Sequence, residues 1–397
     1  MRRRIVTIAV LGVLIAVGLG LAPVLRTAWL ATLVLIECSS PETDGPIARL
    51  RASPVVETVS FPFGDRRIVA DLYRPSTSGP SPGIVLCHGV AAGGRSDYRL
   101  VNFADALSRA GYVALVPEFE NLKRFRVRPT DIDEFVAAFE YLETVPSVDR
   151  ERIGLFGLSY AGGLALLAAA RPEIADRVHF CFCLGGYYDL RNVVTYMTTG
   201  AYRDGNAWAH LEPRNSGRWA FLLNSSDLIE HAGDRAVLER IARRKLDDPA
   251  APIDELRGDL GPEGEKALAL LTNTDPERSG ALIDTMSPRV REYFEVLSPR
   301  ARVARVRAHL ILAHGRDDDL IPYTETLLVF EHATGAASVH CTLLESFEHV
   351  DLRLDGGRGP GETVATLREI ARLISVTYDL MARGGLGAIR DNLTEPV

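Results

Sequence analysis

The sequence predicts an α/β protein: a mostly parallel, doubly wound sheet with helices on both faces, interrupted by a helical insertion and preceded by an apolar N-terminal segment. Three observations carry this. Short continuous apolar runs such as Gly83-Ile84-Val85-Leu86-Cys87 suit strands buried on both faces. Segments of helical period separate them, and repeated strand-helix-strand units imply a parallel sheet covered on both sides. The alternation then stops from about Asn192 to Ala301, where charged helical patches run on without apolar strands between them.

Composition bounds the function. The 397 residues are 47% hydrophobic and 24% charged, which excludes a wholly disordered chain, a collagen or a small disulfide-stapled scaffold. The net charge of -7 offers no global positive field for nucleic acid. Cys38, Cys87, Cys181, Cys183 and Cys341 have no CxxC pair and no metal-ligand spacing with histidine, so neither a disulfide framework nor a metal site is expected. Cys181 and Cys183 alternate along an apolar run and read as small buried hydrophobes on one strand face.

At the N-terminus, Arg2, Arg3 and Arg4 precede an uncharged run from Ile5 to Leu25, long enough to cross a hydrocarbon core of about 30 Å. A cleaved secretory signal and an uncleaved anchor compete for it. Pro23 follows the best small-x-small site, Gly20 and Ala22, and opposes cleavage, so the anchor is favoured. The arginines then stay cytoplasmic, and a single-pass protein carries its remaining chain on the extracytoplasmic side; secretion after cleavage is the alternative. A second apolar run, Ala28 to Ile36, is too short to span alone and reads as an interfacial continuation or part of a shallow hairpin. Residues 1–37 are thus assigned to the anchor, outside the catalytic fold, and the polar stretch 38–53 to a linker.

The core is expected over 54–191 and 302–397. Val55 to Phe61 and Ile68 to Tyr73 read as strands turned at Gly64-Asp65. After the Gly83 to Cys87 strand, Phe103 to Ala110 is helical and stops at Gly111. Tyr112 to Val116 is a strand, and Ile132, Phe135, Val136, Phe139 and Leu142 recur at helical spacing. Arg152 to Phe156 (strand), Ser159 to Ala170 (helix) and Val178 to Leu184 (strand) follow. Beyond the insertion come His309 to Ala313 (strand), Thr324 to Ala333 (helix) and Val339 to Leu344 (strand). The last helix carries Val364, Leu367, Ile370, Ala371 and Ile374 on one stripe.

Chemistry concentrates at the ends of these strands. Gly157-Leu158-Ser159-Tyr160-Ala161-Gly162 joins an apolar strand to an apolar helix. A turn that tight strains the serine backbone and needs small residues two positions to either side, here Gly157 and Ala161. The helix N-terminus behind Ser159 supplies amide donors for a developing negative charge. A nucleophilic serine needs a base and an orienting acid. In His314-Gly315-Arg316-Asp317-Asp318-Asp319-Leu320-Ile321-Pro322, the strand-end carboxylate four residues before the proline is Asp318, while Asp317 and Asp319 read as solvated. His349 follows the next strand, where an imidazole can swing over the sheet edge. The order Ser159, Asp318, His349 is the one expected for a serine set on a strand-to-helix turn of this kind. His88-Gly89-Val90, just past a buried strand, places the Val90 amide beside that of Tyr160 as an oxyanion hole, with Gly93 and Gly94 keeping the loop open. His179, His309 and His340 read as satisfied strand residues, and His314 as a brace for the acid loop.

Residues 55–190 and 305–382 resemble the α/β-hydrolase superfamily, most of all its dienelactone-hydrolase-like and prolyl-oligopeptidase-like serine branch. The likeness rests on His88-Gly89, Val148-Asp149-Arg150-Glu151-Arg152-Ile153-Gly154, Gly157 to Gly162, Gly315-x-x-Asp318-x-x-Ile321-Pro322 and His349. It implies an α/β-hydrolase fold, a Ser-His-Asp triad, acyl-enzyme chemistry and no cofactor. Dienelactone hydrolases proper use a cysteine and lack a long insertion, so lactone chemistry is not carried over. The expected function is a membrane-tethered serine hydrolase of carboxylic esters, with a small acyl compound as substrate and the membrane as partner. The alternatives are a peptidase or amidase on short peptides and a catalytically inactive binding module. Residues 192–301 are expected to form a helical cap whose Tyr196, Met197, Trp208, Trp219 and Phe221 either line an acyl pocket or hold the cap together. Lys123, Arg124, Arg126 and Arg128 form a basic run that reads as a solvated loop, with anion binding as the sharper alternative. Glu118 and Glu120, just past the fourth strand, are placed where they could face the site.

Overall fold

Helix α1 (Ala22–Ser39) precedes a hairpin of β1 (Val55–Phe63) and β2 (Arg66–Arg74), turned at Gly64 with φ +53°. The computed structural model describes residues 22–39, 45–76, 79–345, 347–348, 351–352 and 360–386, and of 347–348, 351–352 and 360–363 the backbone alone. Strands and helices then alternate: β3 (Ser81–Cys87), α2 (Tyr98–Ala110), β4 (Val113–Pro117), α3 (Thr130–Thr144), β5 (Val148–Leu158), α4 (Tyr160–Ala169) and β6 (Phe180–Leu184). After an excursion the alternation resumes with β9 (His309–Gly315), an intervening helix (Thr324–His332), β10 (Ser338–Leu344) and a long C-terminal helix (Pro360–Arg383). The eight strands lie in the order β1-β2-β4-β3-β5-β6-β9-β10, parallel from β4 to β10, with β1 and β2 antiparallel at one edge. This is the α/β-hydrolase arrangement.

Each sheet face has its own core. Phe135, Phe139, Leu164 and Leu167 cover one face, and α4 is buried almost all round, as its uninterrupted apolar sequence requires. Leu100, Leu107, Leu380 and Met381 cover the other against Ile84, Leu86, Phe156 and Phe182. Helix α2 starts five residues earlier than the apolar pattern indicates, because the Asp97 side chain caps it by accepting the Arg99 amide at 3.0 Å.

Helix α1 packs on this second core. Thr27, Leu30, Ala31, Leu33 and Val34 are buried, and the Thr27 hydroxyl donates to the Leu386 carbonyl at 2.9 Å. Burying each aliphatic side chain stabilises docking by roughly 1.5–3 kcal/mol. Leu25, Trp29 and Ile36 face outward and remain exposed. By length and composition α1 is a candidate membrane span or signal sequence, and it overlaps the segment 1–37 assigned above to an anchor outside the fold. Of the predicted span Ile5 to Leu25, positions up to 21 lie outside the described residues.

Between β6 and β9 the chain forms α5 (Leu190–Thr199), a hairpin of β7 (Ala201–Asp204) and β8 (Ala207–His210), α6 (Asn215–Ser225), α7 (Ala232–Asp247), α8 (Pro262–Leu271), α9 (Pro276–Asp284) and α10 (Pro288–Leu297). The helical content matches the sequence; the hairpin does not announce itself there. Its strands are short and mostly exposed, and they are held by Gly205 at φ +59° and by Arg203 stacked 3.9 Å over the Trp208 ring. Trp219, Leu222, Leu238, Ile241 and Leu268 make a small core within the insertion. Val193, Met197, Val290 and Phe294 instead join the main core on the α4 side.

Candidate active site

Ser159 sits at the turn from β5 into α4 with φ 59° and ψ -130°. A side chain held at positive φ costs on the order of 1–3 kcal/mol and persists only where its surroundings enforce it. They do so here through two backbone bonds: the Ser159 amide donates to the Leu184 carbonyl on β6, and the Gly162 amide donates to the Ser159 carbonyl, both at 2.8 Å. The turn folds so tightly that a methyl group on Gly157 would lie 2.1 Å from the Ala161 carbonyl oxygen. Only glycine fits. The free amides of the first turn of α4 begin at Tyr160, beside the serine.

The loop after β3 runs along this turn. A methyl on Gly89 would lie 3.8 Å from Ser159 Cβ, so the bare glycine sits directly against Ser159. His88 is buried and locked by the backbone at both ring nitrogens. The Phe119 amide donates to Nε2 at 3.2 Å, which leaves the proton on Nδ1 to donate to the Gly89 carbonyl at 2.8 Å. Burial lowers the His88 pKa, which keeps the ring in this neutral form. In a trans peptide the carbonyl and the following amide point in opposite directions, so the His88 bond fixes the direction of the Val90 N–H. Gly94, at φ +53°, has no room for a side chain because Glu118 fills the space. Glu118 is buried and paired with Arg95 and Lys123, whereas Glu120 is exposed.

Of the three consecutive acids, Asp318 is the buried one. Its Oδ1 accepts the amides of Leu320 and Ile321 at 2.8 and 2.9 Å, and its Oδ2 lies 3.3 Å from His314 Nε2. His314 also bonds Thr326 through Nδ1 and the Ile321 carbonyl through Nε2, bracing the loop. Asp317 is exposed, and Asp319 accepts from Arg214 of the insertion at 3.0 Å. Tyr196 of α5 donates to the Asp318 carbonyl at 3.0 Å, a link for which the sequence carries no signal beyond an aromatic in the insertion.

His349 lies outside the described residues; Phe347–Glu348 and Asp351–Leu352, on either side of it, pair as a two-stranded ladder after β10. Three other histidines are satisfied by neighbours: His340 by Asp379 and Thr342, His309 by Ser338, and His179 by ring contact with His309. The Tyr160 ring is tilted against Tyr187, with its hydroxyl 3.8 Å from Met197 Sδ, and burial raises its pKa. Trp219 and Trp208 hold the insertion together, the first in its core and the second by donating to Glu277. Phe221 packs on Phe294. The basic run is largely paired internally: Lys123 with Glu118, Arg124 with Glu120, and Arg128 with Asp227 and the Asn224 carbonyl of α6. A broad charged cleft of about 790 Å³ opens at the opposite edge of the sheet, between Arg150, Asp176, His179 and Arg307, away from the serine turn.

One residue that sequence reasoning passed over is Glu325. It is buried and accepts the Tyr188 and Asp189 amides and the Asn192 side chain, at 3.0, 2.8 and 2.9 Å, where the insertion leaves the sheet. Burial pushes its carboxyl up to about 7 despite these donors, with Asp189 adding to the rise.

Several known proteins are similar to this chain. The quorum-quenching protein AidA of Acinetobacter baumannii is 31% identical over 122 residues, covering 29% of this chain and 40% of AidA. The mouse peroxisomal succinyl-coenzyme A thioesterase is 29% identical over 153 residues, covering 36% of this chain and 34% of the thioesterase. The chain therefore spans less than half the length of either relative. Pyrococcus horikoshii acylaminoacyl peptidase superposes with a TM-score of 0.51 at 15% identity, over 88% of this chain and 45% of the peptidase, a likeness of fold. The sequence model of the X-Pro dipeptidyl-peptidases (S15 family) matches residues 64–351, a stretch that takes in Ser159 and Asp318, and the chain belongs to that family.

Proposed function

We propose that the protein is a serine hydrolase of the α/β-hydrolase type that cleaves carboxylic esters through an acyl-enzyme intermediate. The observation that carries the reading is the strained Ser159 backbone at the head of α4, with Gly89 lying against it. Ser159 Oγ attacks the acyl carbon as His349 takes its proton, and the carbonyl oxygen becomes an oxyanion held by the Val90 and Tyr160 amides. Each such donor is worth on the order of 3 kcal/mol. His349 passes the proton to the departing alcohol. Water, deprotonated by the same imidazole, then attacks the acyl carbon; the acid leaves and Ser159 recovers its proton. Asp318 holds the imidazole tautomer and stabilises its charged form. The assignment of the base to His349 is supported by His88 and His314, each of which spends both ring nitrogens on internal bonds.

Peptide hydrolysis is the second reading, favoured by membership of a family named for X-Pro dipeptidyl-peptidases. Against it, a free peptide N-terminus calls for an unpaired carboxylate. Glu118 beside the oxyanion loop and Asp319 beside the acid loop already face Arg95, Lys123 and Arg214. A panel of p-nitrophenyl esters and X-Pro anilides decides between them, since turnover of the anilides alone reverses the order. A fluorophosphonate probe that fails to label Ser159 leaves only an inactive binding module. The insertion 192–301 serves as a cap, tied to the acid loop by Tyr196 and Arg214. The N-terminal segment tethers the enzyme to the membrane with the catalytic part extracytoplasmic. Retention after an alkaline wash tests this, and a mature chain starting after residue 22 refutes it.

A further inference from the structure

Behind the sheet edge that carries Ser159 lies an apolar cavity of about 530 Å³, within the size range of ligand sites. Its ceiling is a row of strand ends: Leu158 of β5, Leu184 of β6, Ala313 of β9 and Leu344 of β10. Leu158 pairs with Leu184, and Leu184 with Ala313, so the row is continuous across β5, β6 and β9, with Leu344 of β10 opposite Gly315, two positions along. Leu158 and Leu184 stay partly accessible in the middle of a sheet whose other strand residues are mostly sealed. Phe103 of α2, Val376 of the C-terminal helix, and Val34 and Leu35 of α1 are among its other walls.

The cavity ends one residue from the nucleophile. Leu158 precedes Ser159, and the Leu184 carbonyl accepts the Ser159 amide. A methyl on Gly89 would lie 3.8 Å from Ser159 Cβ and 4.0 Å from Leu158 Cδ2, so Gly89 lies beside both Ser159 and the Leu158 side chain that lines the cavity. Ser39, Tyr98, Arg99, Asn102 and Thr377 also line it; the aliphatic and aromatic carbon that makes up most of the lining rewards hydrocarbon over polar groups. We propose that this cavity holds the unbranched hydrocarbon chain of the acyl group whose carbonyl is presented to Ser159, and that α1 forms its outer wall. The inference deepens the ester-hydrolase reading and rests on it for the position of the carbonyl.

The chain length of the acyl group is the readout. In the full-length protein, kcat/KM for p-nitrophenyl esters is expected to climb from acetate to decanoate by up to about fourfold per methylene buried. Val376→Trp, which adds bulk at a wall contributed by the C-terminal helix, is expected to cut the decanoate-to-acetate ratio at least tenfold. An equal ratio in the variant, or a flat series in the native protein, overturns the proposal. Binding of a fluorescent long-chain fatty acid to Ser159→Ala separates this outcome from failure of the hydrolase reading, because it needs no turnover. Saturable binding that Val376→Trp abolishes supports the cavity; no binding overturns it, whatever Ser159 does with fluorophosphonate. Delivering the decanoyl ester in phosphatidylcholine vesicles identifies the source of the chain. Faster turnover than in buffer means entry from a bilayer, and slower turnover means entry from solution; both are occupancies of the same cavity.

Discussion

Replacing Gly157 with alanine tests the strained turn at its tightest point. The added methyl would lie 2.1 Å from the Ala161 oxygen, 2.4 Å from its carbonyl carbon and 2.7 Å from the Gly162 nitrogen. All three are backbone atoms of the first turn of α4, so no rotamer change relieves the clash. Relief requires the helix start to move by about 1 Å relative to β5, into surroundings where Ala161, Leu164 and Ala165 are fully buried. Overpacking of this kind costs about 1–3 kcal/mol, and contact with immovable backbone places this case at the upper end. The same displacement shifts Ser159 Oγ and the Tyr160 amide together against the Gly89 loop, and a misplacement near 1 Å costs about 100-fold in rate. Fluorophosphonate labelling of Ser159 should slow by about two orders of magnitude, with a thermal midpoint several degrees lower. Ala161→Gly, which removes atoms from the same turn, should cost about 1 kcal/mol through helix propensity alone and leave labelling nearly intact. If Gly157→Ala labels as fast as the native protein and melts at the same temperature, the turn is not under the constraint described, and the argument for Ser159 loses its physical basis.

Asp318→Asn should keep the fold, because the amide oxygen can still accept from Leu320 and Ile321, yet lower kcat for an ester by about 10⁴-fold through the wrong imidazole tautomer. Steady-state kinetics on a short p-nitrophenyl ester checks it. His88→Ala frees the Gly89–Val90 peptide and should reduce kcat at least tenfold with little change in KM, in contrast to a purely structural loss, which would lower the concentration of active sites titrated by fluorophosphonate. Glu325 gives a pH signature. Its unfolded carboxyl ionises near 4.5 while the folded one holds its proton to about 7, so its contribution is complete below 4.5 and is lost as the pH rises through 7. The full swing is on the order of 3 kcal/mol. Glu325→Gln, with Asn192 turning its amide to match, should therefore gain in thermal midpoint relative to the native protein between pH 5 and 8; parallel curves would show that Glu325 does not titrate there.

How much of this was legible in the sequence depends on what kind of force each feature answers to. The elbow was legible because sterics act locally: a serine forced to positive φ needs Gly157 behind it and Ala161 ahead, and no distant residue can supply that. Asp318 was legible by its spacing from Pro322, and the structure makes it the buried acid of three, with Asp317 exposed and Asp319 turned to Arg214. The β7–β8 hairpin was hidden because Ala201–Asp204 and Ala207–His210 bury too little to show an alternating pattern, and their stability comes from Arg203 over Trp208. Glu325 was hidden for a different reason: a glutamate on a helix reads as solvent-facing unless the two backbone amides it caps, about 136 positions away in the chain, are already known. Helix α1 exposes the deepest limit. The hydrophobic effect rewards removal from water without regard to what replaces it. Leu30, Leu33 and Val34 satisfy it against a protein core, while Leu25, Trp29 and Ile36 on the same helix still face outward. Hydropathy sums both faces of Ala28 to Ile36 into one apolar run and reads it as an interfacial continuation of the anchor or part of a shallow hairpin. Only the structure separates the face held by the protein from the face left over, and that division makes α1 a wall of the cavity behind Ser159 as well as a candidate for contact with a membrane.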